Sequence, residues 1–318
     1  LSQEEQGEHM NKLTKAGFAG LFLSLTAVLA SCGSSSETSS DTVAVTADVF
    51  PVTVGDLTLD AQPTRIISLS PTATEMLYAI GAGSQVVAVD EYSNYPAEAV
   101  ALGTPLSGFE PNIEAISGYT PDLVIISYDP GSLVEQLSTL DIPVFVAGAA
   151  MSIENVYEQI EQLGVLTGNS QKAIEVSKTL QTGIEEAVAS VQFSEPPLSY
   201  YYELDNTYYS VTSNTFIGQI FNLFGMRNIA DNVESGNDYP QLSAEVIVSA
   251  DPDFIFLADT KCCAQDATTV AARDGWGGLK AVTANQVVEL DDDVASRWGP
   301  RVLELITAIR DAVVAANS

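Results

Sequence analysis

Basic charge, histidine and cysteine are what this 318-residue sequence has least of: 12 Lys and Arg stand against 42 Asp and Glu, with one histidine and three cysteines. The formal charge of -30 excludes a nucleic-acid binder, because a phosphate backbone has to be met by clustered Lys and Arg. His9 is the single imidazole, so a Ser-His-Asp triad, a histidine zinc site or a proximal-histidine haem ligand would all hang on that one residue. A glycine-rich phosphate loop is also missing. What is plentiful is apolar surface: 46% of residues are hydrophobic and 17% charged, enough for two cores at about one domain per 150 residues.

Met10 to Lys15 is a short basic start, Ala16 to Ala30 is apolar or small throughout, and Leu29-Ala30-Ser31 runs directly into Cys32. That is the order of a secretory signal, with an apolar run shorter than the roughly 20 residues of a membrane span. The cut site resembles the lipobox of bacterial lipoproteins, which implies acylation of Cys32 and a lipid anchor on the outer face of the cell membrane or in the periplasm. The alternative is an uncleaved membrane anchor. Residues 1–9 precede Met10 and are assigned no function. Cleavage removes His9 and leaves ten basic against 39 acidic residues, which takes histidine-based catalysis and metal binding with it. Gly33 to Asp48 carries five serines, three threonines and no aromatic, the composition of a flexible tether.

After Phe50, short apolar runs alternate with amphipathic helical segments, the pattern of α/β layers. Strands are expected at Ile66–Leu69, Val86–Val89, Leu123–Ile126 and Val144–Val146, and helices at Thr72–Ile80, Ile113–Ser117, Ser132–Leu140 and Ile153–Leu166. Ser170 to Val191 reads as one long helix, with Leu180, Ile184, Val188 and Val191 on one face, Asn169 or Ser170 as cap, and Pro196-Pro197 beyond its end. The second half then echoes the first. Ile113 to Ile126 matches Ala244 to Leu257, each with a glutamate seven residues before a Pro-Asp pair and an apolar strand after it. More weakly, Thr74 to Gly81 matches Gly218 to Gly225, each a helix ended by glycine. The fold class expected is α/β: two similar lobes with central sheets, joined by one long interlobe helix. The division is a leader and signal over 1–31, a lipidated tether over 32–48, an N-terminal lobe over 49–168, the interlobe helix over 169–193 and a C-terminal lobe over 194–318.

Ser68 to Glu75, Tyr92-Ser93-Asn94-Tyr95-Pro96, the two Glu-x6-Pro-Asp segments and Ser296 to Arg301 resemble the substrate-binding proteins of ABC importers for vitamin B12 and ferric siderophores. The resemblance spans roughly residues 64–316. It implies the class III periplasmic-binding-protein fold, a ligand in the cleft between the lobes, small closure motions and no enzymatic activity. It also implies that Glu114 and Glu245 dock onto arginines of the permease, one glutamate from each lobe. Two carboxylates at matching positions suit a two-lobed protein on a two-fold partner; the bland reading is that each complements its helix dipole.

A planar or macrocyclic ligand is held best by aromatic faces with a few polar anchors. Cleft candidates are Tyr92, Tyr95, Phe109, Tyr128, Tyr208 and Trp298, each at a strand end or in the loop after it, where α/β sheets place ligands. Tyr200-Tyr201-Tyr202 read instead as strand residues with alternate rings in the core. Asp293 matches an acidic cleft position of the B12-binding members, whereas Val294 departs from their aromatic. Arg297 and Lys261 are the cations best placed to reach the cleft, and the scarcity of others favours a neutral or cationic ligand over an anionic ferric catecholate. The ligand expected is cobalamin or a related corrinoid, with a siderophore or haem as the alternative and a secreted enzyme on a similar fold as a remote one.

Cys262 and Cys263 are adjacent, and with Cys32 acylated they form an even pair in an oxidising compartment. A vicinal disulfide, two free thiols, or a bridge to another molecule all fit the sequence. Too few ligands accompany them for zinc, and Asp291-Asp292-Asp293 lacks the spacing and glycine of a calcium loop. No metal, no catalytic residue and no resident cofactor is expected, and the partners are the permease, the ligand and the membrane, with the protein acting as a monomer.

Overall fold

The computed structural model describes residues 48–317. Cys32, the signal and most of the tether lie outside the described residues. The described chain opens with an antiparallel hairpin of β1 (Val52–Val54) and β2 (Leu57–Leu59), turned at Gly55-Asp56. The first lobe follows as β3 (Ile66–Leu69), α1 (Pro71–Ala79), β4 (Val86–Val89), α2 (Ala97–Val100), α3 (Ile113–Gly118), β5 (Leu123–Ile126), α4 (Leu133–Ser138) and β6 (Val144–Val146). Helices α5 (Ile153–Thr167) and α6 (Ser170–Ala189) lead out of it. The second lobe is built from β7 (Ser199–Glu203), α7 (Phe216–Asn222), β8 (Arg227–Asn228), α8 (Ala244–Ala250), β9 (Phe254–Leu257), α9 (Ala267–Ala271), α10 (Lys280–Thr283) and β10 (Val287–Glu289). Two helices close the chain, α11 (Asp292–Ser296) and α12 (Val302–Ala316).

The two halves repeat one topology. Strand order is β4-β3-β5-β6 in the first sheet and β8-β7-β9-β10 in the second, all pairs parallel. Each order places the first strand of its lobe beside the third, which leaves a crevice at their carboxyl ends. The fold is the expected one: two similar α/β lobes with central sheets, linked by a long helix.

Parallel sheets have both faces covered, so their strands are apolar throughout. Every residue of β3, β5, β7 and β9 is buried. This corrects the expectation for Tyr200 to Tyr202, whose rings alternate faces but are all fully buried: Tyr200 and Tyr202 join a core cluster shared by both lobes, and Tyr201 joins one private to the second. The shared cluster gathers Met76 and Leu77 of α1, Leu180 and Ile184 of α6, and Leu305, Ile306 and Ile309 of α12, so the linking helix is cemented to both lobes rather than spanning solvent. Its close crossing with α5 rests on Gly164, where an added Cβ would come 2.4 Å from Ala173 Cβ. Helix α6 is 20 residues long, about 30 Å, and ends at Ala189, two residues before the expected end. Neither expected cap bonds it through its side chain: the Ser170 N–H donates to the carboxylate of Asp48 from 122 residues upstream. An anion at that end is favoured by the helix dipole.

Candidate functional site

The crevice between β3 and β5 opens into a cavity of about 510 Å³. Leu69 at the end of β3 with Ser70 after it, Asp90 and Tyr92 after β4, and Ser127 and Tyr128 after β5 line it, and Asp293, Ser296, Arg297 and Trp298 join them from the far end of the chain. The cavity size falls within the ordinary range for small-molecule sites. Gly108 lines the floor because nothing larger fits: an added Cβ would sit 2.7 Å from the Leu69 carbonyl oxygen.

Four of the six aromatic candidates meet here. Tyr92 and Phe109 stand edge to face with ring centroids 5.5 Å apart, Phe109 and Tyr128 lie 6.2 Å apart at a tilt, and all three rings are about half exposed. Ordered yet uncovered rings of this kind are the feature a binding wall has and a core lacks. Trp298 lines the same cavity, and its indole N–H donates to Gln159 Oε1 of α5. Tyr95 and Tyr208 do not join them. Tyr95 lies in a separate groove between α1, α2 and α12, with the Arg301 guanidinium 4.3 Å above its ring. Tyr208 stacks on fully buried Trp276 at 5.6 Å, beside Arg273, because packing within the second lobe claims its face.

Arg297 lines the cavity, but not as a free cation. Its Nη1 donates to Glu75 Oε1 and Asn94 Oδ1, and its Nη2 to the Tyr92 carbonyl and Asp293 Oδ1, all at 2.8–3.0 Å. Glu75, itself buried in α1, also accepts from Nε and Nη2 of Arg301. Asn94 donates in turn to Asp293. The three motifs Ser68 to Glu75, Tyr92 to Pro96 and Ser296 to Arg301 thus converge on one network that ties the first lobe to the C-terminal segment. Lys261 is likewise spent, its ammonium bridging Asp291 and Asp293. Neither cation is left to meet an anionic ligand, whereas the Asp293 carboxyl, held low by Lys261 and Arg297, stays charged at the rim.

Asp90 went unnoticed in the sequence, where only its position directly after a strand could have signalled it. It is 4% exposed at the cavity floor, and burial lifts its carboxyl to about 6.

The equivalent crevice of the second lobe is filled. Glu203, at the end of β7, takes both terminal nitrogens of Arg273, which also bonds Gln265 and lies 4.6 Å above the Trp276 ring. Among the described residues no partner reaches either carboxyl oxygen of buried Asp259. Cys262 and Cys263 follow in the loop after β9 as two unbridged thiols. Their backbone N–H groups are taken, Cys262 N–H by Asp292 and Cys263 N–H by the Asp259 carbonyl. The neighbouring Cys263 and the Asp292 and Asp259 carboxylates act to raise the thiol of exposed Cys262. No group of three or more His, Cys, Asp or Glu among the described residues is arranged to hold a metal ion.

Glu114 and Glu245 occupy matching positions, each exposed in the first turn of a short helix, behind N-caps Asn112 and Ser243. Hydrogen bonding by its own backbone N–H and by Ser243 holds the Glu245 carboxyl low.

Residues 66–294 match the periplasmic binding protein family. The chain is 29% identical over 313 residues to an uncharacterized ABC transporter substrate-binding lipoprotein of Bacillus subtilis, covering 94% of this chain and 97% of that one. It is 32% identical over 277 residues to a cobalamin-binding protein of Halobacterium salinarum, covering 83% of this chain and 74% of that one. The solved periplasmic vitamin B12 binding protein BtuF of Vibrio cholerae superposes with a TM-score of 0.68 at 29% identity, over 80% of this chain and 98% of that one. With two parallel four-stranded lobes around an aromatic cleft and these matches together, the chain belongs to the periplasmic binding protein family and is a solute-binding protein of the ABC-importer type.

Proposed function

We propose that this protein captures cobalamin or a related corrinoid in the cleft and delivers it to an ABC permease. It does so as a monomer, outside the cytoplasm, held to the membrane by a lipid on Cys32, with Glu114 and Glu245 as the docking pair. The corrinoid is cargo rather than a resident cofactor. The observation that carries this reading is the wall of Tyr92, Phe109 and Tyr128 on one cavity with Trp298, where Arg297 and nearby Lys261 are both paired with carboxylates. A flat ligand face is held by such rings, and a ligand without net negative charge needs no cation from a cleft whose Lys261 and Arg297 are already taken by carboxylates. The relatives named for cobalamin and vitamin B12 support the same ligand.

Titrating the full chain in detergent with cobalamin, ferric siderophores and haem tests it, with tryptophan fluorescence as the readout. Trp298 lines the cavity and reports the ligand, while Trp276, fully buried in the second lobe, supplies a steady background. Saturable submicromolar quenching by cobalamin alone is expected. Binding of an iron chelate in its place would overturn the ligand and leave the transport reading intact.

A further inference from the structure

A buried line of hydroxyls runs from the cleft floor into the first lobe. Asp90 Oδ1 is in hydrogen-bond contact with Ser93 Oγ, which lies 2.9 Å from Thr74 Oγ1. Thr74 Oγ1 lies 2.9 Å from Ser68 Oγ, and Ser68 Oγ lies 3.1 Å from the Ser70 carbonyl oxygen. None of the five residues is more than 4% exposed.

Hydrogens can be counted along this line. A carbonyl only accepts, so Ser68 donates to Ser70, and Thr74 donates to Ser68. With Asp90 protonated, its carboxyl hydrogen serves Ser93, Ser93 donates to Thr74, and all four contacts of the line are filled. With Asp90 ionised, Ser93 donates to the carboxylate, and three hydroxyl hydrogens serve four buried contacts. One pair of oxygens 2.9–3.1 Å apart is then left without a hydrogen between them.

We propose that Asp90 is a specificity-determining residue of the cleft that works as a neutral carboxylic acid: its Oδ1 proton is held by Ser93, and its Oδ2 is presented to the ligand as an acceptor for an amide N–H, such as a carboxamide on the rim of a macrocycle. Gly108 leaves that oxygen uncovered, since an added Cβ there would come 3.2 Å from Oδ2. The charged groups facing Asp90 are Glu91 on its own loop and Arg297 between α11 and α12. The charge of Arg297 is already met by Glu75 of α1 and Asp293 of α11. Burial and Glu91 favour the protonated form, outweighing Ser93 and Arg297. A neutral ligand that covers the floor removes more water from Asp90, so binding takes up a proton and affinity falls as pH rises through about 6.

This inference rests on the cleft being the ligand site, and two arms of one experiment keep the two readings apart. Without ligand, the infrared difference between the wild-type chain and Asp90→Asn should show the carbonyl band of a protonated carboxyl at pH 5 that fades by pH 8. With cyanocobalamin as the neutral probe, wild-type affinity should fall about tenfold from pH 5 to pH 8, the change expected when binding raises one carboxyl by about one unit. Asp90→Asn should hold the acid-pH affinity across that range, because the carboxamide still donates to Ser93 and still presents an oxygen. No band at pH 5 overturns the neutral acid whatever binds, and a band with wild type and Asp90→Asn losing affinity in parallel overturns the ligand contact. A band without any cobalamin binding overturns the corrinoid reading and the amide acceptor with it, leaving the protonated carboxyl standing.

Discussion

Asp259 and Asp90 are both carboxyls buried just beyond a strand end, yet they have different surroundings. Asp90 has a line of hydroxyls; Asp259 has, among the described residues, no hydrogen-bond partner for either oxygen and faces Glu203, Arg273 and Asp292. Burial first, and then the Glu203 charge, raise Asp259 to about 7. In the unfolded chain an aspartate releases its proton near pH 4. Between about pH 4 and 7 the folded state therefore holds a proton that the unfolded state has lost, so stability falls as pH rises through that window and levels off above it. Asp259→Asn should remove this loss. In urea unfolding at pH 8 the variant is expected to exceed wild type by an amount of the order of 2–4 kcal/mol, with the difference shrinking toward pH 4. An equal difference at both pH values would mean that Asp259 is charged throughout. Neither carboxyl stands out in the sequence, because what sets these two apart is burial without the arginine ion pairs that Glu75 and Glu203 have, and burial is set by distant chain.

The repeated Glu-x6-Pro-Asp segment divides its labour between its two acids. Asp122 accepts from the Thr64 and Arg65 backbone N–H groups and the Thr64 hydroxyl, and Asp253 accepts from the Ser199 N–H and hydroxyl. Each aspartate thereby ties the entry of its lobe's third strand to the entry of the first. Glu114 and Glu245 enter no comparable tie and point outward from short helices. The fold uses the aspartates and leaves the glutamates exposed. Glu114→Ala combined with Glu245→Ala should abolish uptake in cells while ligand affinity is unchanged and stability moves by no more than about 0.5 kcal/mol, the usual range for surface substitutions. Unimpaired uptake would remove the docking role. These elements were legible in the sequence because local rules specify them: caps at Asn112 and Ser243, and glycines at 81 and 225 with positive φ after α1 and α7. The cap of α6 was not legible, since Asp48 reaches it from far along the chain.

At the scale of the whole molecule, Glu75 joins the two ends of the fold. It is 3% exposed and receives Arg297 and Arg301, which places α1 against the segment between α11 and α12 and sets the two sides of the cleft relative to each other. Breaking one partner of a buried pair is far more costly than the pair's net worth, because it strands the other charges. Glu75→Gln should destabilise the protein by about 3–5 kcal/mol in urea unfolding. A loss below about 1 kcal/mol would show that solvent or Asp293 takes over both arginines.

By itself the sequence determined the two-lobed α/β architecture, the internal repeat, the matched pair of outward glutamates and the aromatic character of the cleft. Each of these follows from periodicity, turn chemistry and strand-end position, which neighbours in the chain encode. Only the tertiary structure showed which aromatics share one cavity, placing Tyr92, Phe109 and Tyr128 together, Tyr95 in a separate groove and Tyr208 against Trp276. It also showed that Arg297 is paired with Glu75 and Asp293 and that buried Asp90 lines the cavity. Those assignments depend on partners some 200 residues away, and a side chain's charge is free for a ligand only when no such partner has already taken it.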